Sequence, residues 1–333
     1  MKILVVCMKY EYGIIKRGLS YEYINFYTKL VNMGHDVIFF DFIAETQSAG
    51  KAAMNKKLFD LVEHQKPDLT FFTLYIDEFE PEMVHKLRTY TKTLCFFHDD
   101  TWRVDFSRYW ASKFDYFTTP DVYGEYKYNS LGLHSAIYFP FGCNQDLFKK
   151  MDLPKKFDVS FVGSWHPYRE WLISNLRRAG FSVEVAGFGW PNGALDHPGM
   201  VRLFNASKIS LNLSNSSSWD IRYLCSSPRA LINTLRTAKT IEQLKARHFE
   251  ISSCGTFQLS YYVEGLERHY IIGEEIGIYI DAYDLIQKVR FYLDNETLRE
   301  QIAMKAQARS LLHHGFESRF NEVFKRMGLD EKA

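Results

Sequence analysis

The sequence predicts an α/β protein built as two successive doubly wound halves. Three observations point there. Short apolar, β-prone runs alternate with helical stretches from the first residue to about residue 280. Several of those runs are almost continuously apolar, as strands buried on both faces of a parallel sheet are. The alternation also restarts after a charged linker, Lys149-Lys150 to Pro154-Lys155-Lys156, so the chain reads as two domains with a boundary at 150.

Met1 to Cys7 is the first strand. A loop follows with glycines at 13 and 18, then a helix through about Met33, closed by Gly34, and a second strand at Asp36 to Phe42. This is one Rossmann-like unit, although the loop is not GxGxxG. Gly13 and Gly18 serve either as turns or as a close approach to a bound ligand. Met54 to Gln65 is helical, Leu69 to Ile76 is a strand, and Pro81 opens a helix to about Tyr90. Thr93 to Phe97 is the fourth strand and ends in His98-Asp99-Asp100. Ligands of open α/β sheets bind outside the carboxyl ends of strands, which favours a role for His98 there. The alternative is loop capping by the aspartates beside an ordinary surface histidine. Asp115 to Thr119 and Ser135 to Phe139 complete the half, flanking a helix near 125–131.

The second half opens with the strand Phe157 to Val162, then Gly163-Ser164 and a helix ending at Gly180. Gly163 and Ser164 at a helix N-terminus offer an anion site. Arg169 either adds a bidentate phosphate contact or is a solvated first-turn arginine. Phe181 to Ala186 leads into Gly187-Phe-Gly-Trp190, a loop with an aromatic candidate for a lid over a base. Ser207 to Ser214 is a further strand. The segment 219–239 reads as an insertion without an assignable task. Thr240 and Gln243 have capping-box spacing, which predicts a helix from 240 to a stop at Gly255, followed by the strand Thr256 to Ser260. Lys245, Arg247 and Glu250 lie on that predicted helix, which is otherwise suited to the interior. Buried charges need partners. A sugar nucleotide would supply them, with phosphates for the cations and ribose hydroxyls for the carboxylate. The amphipathic stretch Tyr283 to Leu293 and helices at Glu296 to Leu312 and Phe316 to Met327 close the chain.

Composition excludes other classes. Net charge is +1, so nothing calls for nucleic acid, and 46% apolar residues argue against disorder. The cysteines at 7, 95, 143, 225 and 254 have no paired or zinc-like spacing. No signal peptide or membrane-spanning run is evident, which places the expected protein in the cytoplasm, soluble or attached to the inner face of a membrane.

Two such halves, the Arg247-x-Phe-Glu250 helix running to Cys254-Gly255, and a C-terminal run resemble one family. The run is Gly273-Glu-Glu-Ile, Tyr283-Asp-Leu, Tyr292-Leu-Asp, Leu298-Arg and His313-His-Gly-Phe-Glu-Ser-Arg319. The family is the GT-B glycosyltransferases, within them the group-1-like transferases related to the spore maturation protein CgeB. The resemblance is strongest from Phe157 to Arg319.

The resemblance implies two Rossmann-like domains facing each other across a cleft, 1–150 on the acceptor side and 151–314 on the donor side. Residues 315–333 would be a helix crossing back to the first domain. It implies transfer of a sugar from a nucleotide-diphosphate sugar to a hydroxyl acceptor (glycan, lipid-linked or protein), with retention and without a metal or other cofactor. Glu250 matches the glutamate that holds the nucleotide ribose. Glu242 stands at Glu-x7-Glu spacing before it and would touch the donor sugar. Lys245, Arg247 and Arg169 are diphosphate candidates, and His98 falls beside the transferred sugar. His98, Arg247 and Glu242 are therefore the expected catalytic set. Gly13, Gly163, Ser164 and Gly187, with Ser253 and Gly255, join Arg169, Lys245 and Glu250 in the expected donor-binding set. The competing readings are a sugar-nucleotide epimerase of the same fold and a non-catalytic nucleotide-sugar-binding module.

Overall fold

A computed structural model describes residues 1–237, 239 and 241–330. The chain divides into two compact units, one formed by 1–140 together with the segment from Phe316 onward, the other by Phe141–Gly315. The division falls after Pro140 and not at 150, because the intervening residues belong to the second unit's packing. Cys143 pairs with Gly315 in an isolated parallel bridge, the Gln145 amide donates to the Ser310 and Leu311 carbonyls, and Phe148 lies in a second-unit core.

The first unit holds a six-stranded sheet of β1 (Lys2–Val6), β2 (Asp36–Phe40), β3 (Leu69–Thr73), β4 (Lys92–Phe96), β5 (Tyr116–Thr119) and β6 (Ala136–Tyr138). The order is β2-β1-β3-β4-β5-β6, every pair parallel. β3 is buried along its whole length, which is why its sequence lacks polar alternation. On one face, Leu4, Val6, Phe72, Cys95 and Phe117 pack with Leu58, Val84 and Trp110 from the helices. On the other, Phe26, Phe71, Phe96 and Phe139 form an edge-to-face cluster that Phe316 and Phe320 of the C-terminal helix join. That helix, Phe316–Arg326, thus supplies one layer of the first unit. The helix after β1 is not uniform: Tyr23–Tyr27 is π-helical and Thr28–Asn32 is α-helical.

The second unit repeats the topology with five strands, β7 (Phe157–Val162), β8 (Val183–Ala186), β9 (Ser207–Asn212), β10 (Phe257–Tyr261) and β11 (Gly277–Tyr279). The order β11-β10-β9-β7-β8 is again wholly parallel. In both units the first strand has the second on one side and the third on the other. The chain therefore reverses direction across the sheet at β1/β3 and at β7/β9, where doubly wound folds bind ligands.

The predicted helix from 240 is shorter in the structure. Thr240 lies outside the described residues. Residues 242–245 have no regular structure, and the helix is Arg247–Ser253. Gln243 and Leu244 are buried in irregular chain, so packing of this segment overrides the capping-box spacing. Gly255 does end the helix with φ of +67°.

Candidate functional site

The second unit's switch point is held by Arg169. Its helix, Pro167–Arg178, starts with proline at the first turn and delivers the guanidinium to three backbone carbonyls. Nη1 donates to Ser164 at 2.9 Å, Nε to Asn215 at 3.2 Å and Nη2 to Ser214 at 3.3 Å. Ser164 follows β7, and Ser214 and Asn215 follow β9, so Arg169 ties the two strand ends together. Burial, acting against the attraction of Glu242, lowers its pKa to about 10, which leaves it charged at neutral pH. Neither of the two sequence readings describes it fully, because the side chain is neither simply solvated nor free to turn wholly toward a phosphate.

Gly163 and Gly187 are fixed by close approach. A Cβ on Gly187 would lie 2.0 Å from the Gly163 carbonyl oxygen. The Gly163 amide donates to Ala186 and the Trp165 amide to Phe188, so both are engaged within the loops. Ser164 is exposed, and its carbonyl is an Arg169 acceptor. Of the two aromatic rings in that loop, Trp190 is only 8% exposed and donates from Nε1 to the Gly163 carbonyl at 2.9 Å. It packs against Phe161 as part of the core, and the exposed ring of that loop is Phe188.

Lys239 brings a cation to the same strand end. Its ammonium donates to the Ser214 carbonyl at 3.2 Å, which also accepts from Arg169, and pairs with Glu242. Burial lowers the Lys239 pKa, Glu242 opposes that shift, and Lys245 and Arg169 add to it. Lys239 was not read as functional from sequence, although its i,i+3 spacing to Glu242 was the available signal. Lys245 lies over the Phe141 ring, and its backbone amide and carbonyl sit 3.0 and 3.1 Å from His248 Nδ1. Burial drives the His248 pKa down to about 4, so this imidazole is a neutral brace beneath the loop. Its other nitrogen is 3.2 Å from the Ser260 hydroxyl.

Arg247 and Glu250 pair along one face of their short helix. Glu250 is 4% exposed. Burial raises its pKa, and the charge and hydrogen bond of Arg247 oppose the rise. Ser253 and Gly255, in contrast, have structural work. The Ser253 hydroxyl is fully buried and donates to the Phe148 carbonyl, and a Cβ on Gly255 would lie 3.1 Å from the Gln307 amide. The second unit thus gathers Arg169, Lys239, Lys245 and Arg247 with the carboxylates Glu242 and Glu250. Each charge is felt by others in the set, and positive charge is in excess.

In the first unit, His98 leaves the end of β4 and its Nε2 lies 2.8 Å from Glu22 Oε1. Phe96 and Tyr21 hold the ring edge-on. Burial acts to raise the Glu22 pKa, but the charge and hydrogen bond of His98 outweigh it, and the carboxylate stays below its ordinary range. Glu22 was missed in the sequence, because nothing local marks a partner so far along the chain. Asp100 is the buried one of the adjacent aspartates, 3% exposed, and accepts from the Tyr128 hydroxyl at 3.1 Å. Burial pushes its pKa up to about 7, with Asp121 and Asp99 adding to the effect. Gly13 has φ of +71°, and a Cβ there would meet Ile43 Cγ2 at 2.3 Å, so the glycine is required by local packing. Across the β1/β3 switch point, Tyr12 and Tyr75 place their ring centroids 5.3 Å apart. Among the described residues no group of three or more His, Cys, Asp or Glu is arranged to hold a metal ion.

Comparison with known structures identifies the fold. The chain is similar over 98% of its length to sucrose-phosphate synthase from Thermosynechococcus elongatus, with TM-score 0.65, 11% identity and 99% of that chain covered. It is similar to Anabaena HepE in complex with UDP-glucose, with TM-score 0.64 and 12% identity, over 98% of this chain and 99% of that one. A glycosyltransferase from Rickettsia africae gives TM-score 0.63 and 11% identity over 97% of each chain. The fold is therefore GT-B. Residues 169–325 match the family model described as glycosyl transferase-like. No curated protein matches the sequence.

Proposed function

We propose that the protein is a glycosyltransferase that moves a sugar from a nucleotide-diphosphate sugar to a hydroxyl acceptor, with retention and without a metal. It would act in the cytoplasm in glycan or cell-surface polysaccharide synthesis. The observation that carries this reading is the charge cluster of the second unit, at the switch point where doubly wound sheets take ligands. Its excess positive charge suits a diphosphate. Glu250, buried beside Arg247, suits ribose hydroxyls. HepE, one of the similar structures, is in complex with UDP-glucose, which makes uridine diphosphate sugars the first donors to try.

The chemistry follows from charge. When the bond between the sugar's anomeric carbon and the β-phosphate oxygen breaks, negative charge grows on the diphosphate. Lys239, Lys245 and Arg247 stabilise that charge from fixed positions, and removal of one such preorganised group typically costs about 10²–10³ in rate. The acceptor hydroxyl loses its proton as its oxygen joins the anomeric carbon. In the retaining course that proton passes to the leaving phosphate. We assign the acceptor to the first unit, with His98 as its candidate catalytic group.

The test is donor turnover in the full chain. UDP-glucose and related donors are screened by thermal shift, because a ligand of the folded state raises apparent stability by mass action. Hydrolysis or transfer is then followed by NMR, whose anomeric coupling reads retention directly. Turnover that disappears in Arg247→Ala and Glu250→Ala supports the reading. A chain that binds no nucleotide sugar refutes it. Tight binding without turnover selects a binding module, and epimerisation of the free donor selects an epimerase.

A further inference from the structure

The segment between β9 and the Arg247–Ser253 helix carries a surface that the sugar chemistry leaves unused. Two short helices, Ile221–Leu224 and Pro228–Arg236, pack together after the polar loop that ends β9. The second begins with proline, and its first turn is capped by the Ser227 hydroxyl, which accepts from the Ala230 amide at 3.2 Å. Its inward face is small and polar. Ala230 is buried, the Thr234 hydroxyl donates to the Ser218 carbonyl at 3.0 Å, and the Asn233 amide donates to the Ser216 carbonyl at 3.2 Å.

The outward face is the apolar one. Leu231, Ile232 and Leu235 are 43%, 48% and 63% exposed, and Trp219 and Ile221, on the adjoining turn, are 72% and 71% exposed. A surface helix of a globular protein ordinarily turns such residues inward. Here the polar residues face the protein and the leucines face outward.

The charges around this face have one sign left over. Asp220 is bound by Arg222, and Glu242 by Lys239. Arg229 and Arg236, at the two ends of the helix, have no carboxylate partner among the described residues, and Arg229 lies over the Trp165 ring at 4.5 Å. We propose that this face docks on a bilayer containing anionic lipid. The leucines and isoleucines would enter the acyl boundary, Trp219 would sit at headgroup level, and Arg229 and Arg236 would meet lipid phosphates. A nine-residue helix spans roughly 13 Å, which suits lying in the interface, and no helix among the described residues is long and apolar enough to cross a membrane. Self-association fits less well. A two-fold contact through this patch would set the unpaired arginines of one copy against those of the other.

The test is flotation of the full chain with vesicles of phosphatidylcholine alone and of phosphatidylcholine with phosphatidylglycerol. The wild type should float with the anionic vesicles at least about five-fold more than with the neutral ones, and less at high salt. Leu231→Ser with Leu235→Ser should reduce flotation about ten-fold, and Arg236→Glu several-fold. These side chains are exposed, so the melting temperature should stay at the wild-type value, which excludes unfolding as the cause. Absence of flotation with anionic vesicles overturns the proposal, as does flotation indifferent to the double substitution. A dimer that the double substitution dissolves, with no vesicle binding, overturns it in favour of self-association. Flotation needs no donor, so this outcome is independent of the transferase reading.

Discussion

Arg247→Met should destabilise the second unit in a pH-dependent way. The substitution keeps most of the aliphatic stem and removes the one cation paired with Glu250. In the native chain the two side chains are 24% and 5% exposed, so the pair is mostly withdrawn from water. Breaking a buried pair costs about 3–5 kcal/mol, because one charge is left uncompensated. The partial exposure of Arg247 puts the expectation at the lower end, about 3 kcal/mol at pH 8. The pH dependence follows from Glu250. Burial already raises its pKa, and Arg247 opposes the rise. Without Arg247 the value climbs further, so the folded state holds a proton over a range where the unfolded chain has lost it. Stability then falls as pH rises from the ordinary carboxylate range through the raised value. As pH falls toward the ordinary carboxylate range the protonated fraction in the variant grows, and the cost shrinks toward a lost hydrogen bond, about 1 kcal/mol. For a domain of 150–250 residues each kcal/mol moves the midpoint by roughly 2–4 °C. Calorimetry should therefore show a loss of about 6–12 °C at pH 8 and a smaller one at pH 5, approaching about 2–4 °C. Adding Glu250→Gln should recover most of the pH 8 loss. An equal drop at both pH values, or no recovery in the double variant, would refute the argument.

Gly187→Ala should yield little soluble protein or lose more than about 3 kcal/mol, since its Cβ would sit 2.0 Å from the Gly163 carbonyl at φ of +146°. Gly18→Ala, with φ of +83°, ψ of −176° and nothing near its Cβ, should cost about 1–3 kcal/mol from backbone strain alone, and comparing denaturant midpoints separates backbone strain from steric overlap. Asp100 has a raised pKa, so its effect on first-unit stability is most favourable at low pH and declines as pH rises from the ordinary value of 3.8 through about 7. Asp100→Asn should flatten that decline and exceed the wild type above pH 7 by up to ~4 kcal/mol, read from urea midpoints across pH. Glu22 has the opposite sign: its contribution is complete above the ordinary carboxylate range and is lost as pH falls through the depressed folded value. Glu22→Gln should therefore cost about 1–3 kcal/mol at pH 7 and remove that part of the acid limb of the stability profile.

How much of this was legible in the sequence depended on how local each feature is. The strand–helix alternation was readable because the parallel strands are buried on both faces and carry nearly unbroken apolar runs, Leu69 to Phe72 among them. Arg247 and Glu250 were readable as charges on one helix bound for the interior, but the sequence assigned their partners to a ligand, and only the structure shows them paired with each other. The start of that helix was not readable, since tertiary burial of Gln243 and Leu244 overrides a favourable local spacing. The loop Gly187-Phe-Gly-Trp190 offers two aromatics as a lid, and its composition does not say that Trp190 is the buried one. Only the fold shows its indole bonded to the Gly163 carbonyl. The Glu22–His98 contact was invisible for a different reason. It joins the first turn of the helix that follows β1 to the end of β4, and no period in the sequence encodes that distance.

The repeated topology sharpens what the two switch points can hold. In each unit the loops after the first and third strands approach one another, so the backbone offers the same opening. The side chains that bridge it differ. In the second unit a guanidinium and an ammonium share the Ser214 carbonyl, one strand end being tied to the other by cations. That arrangement favours a ligand with concentrated negative charge and gives an uncharged one no comparable anchor. In the first unit the bridge is the ring pair Tyr12–Tyr75, with the Arg17 guanidinium 5.1 Å over the Tyr12 ring. Rings present broad apolar faces with hydroxyls at the edge, and they discriminate by shape more than by charge. One fold, used twice, therefore presents an electrostatic seat and an aromatic one. That division suits the transfer proposed above.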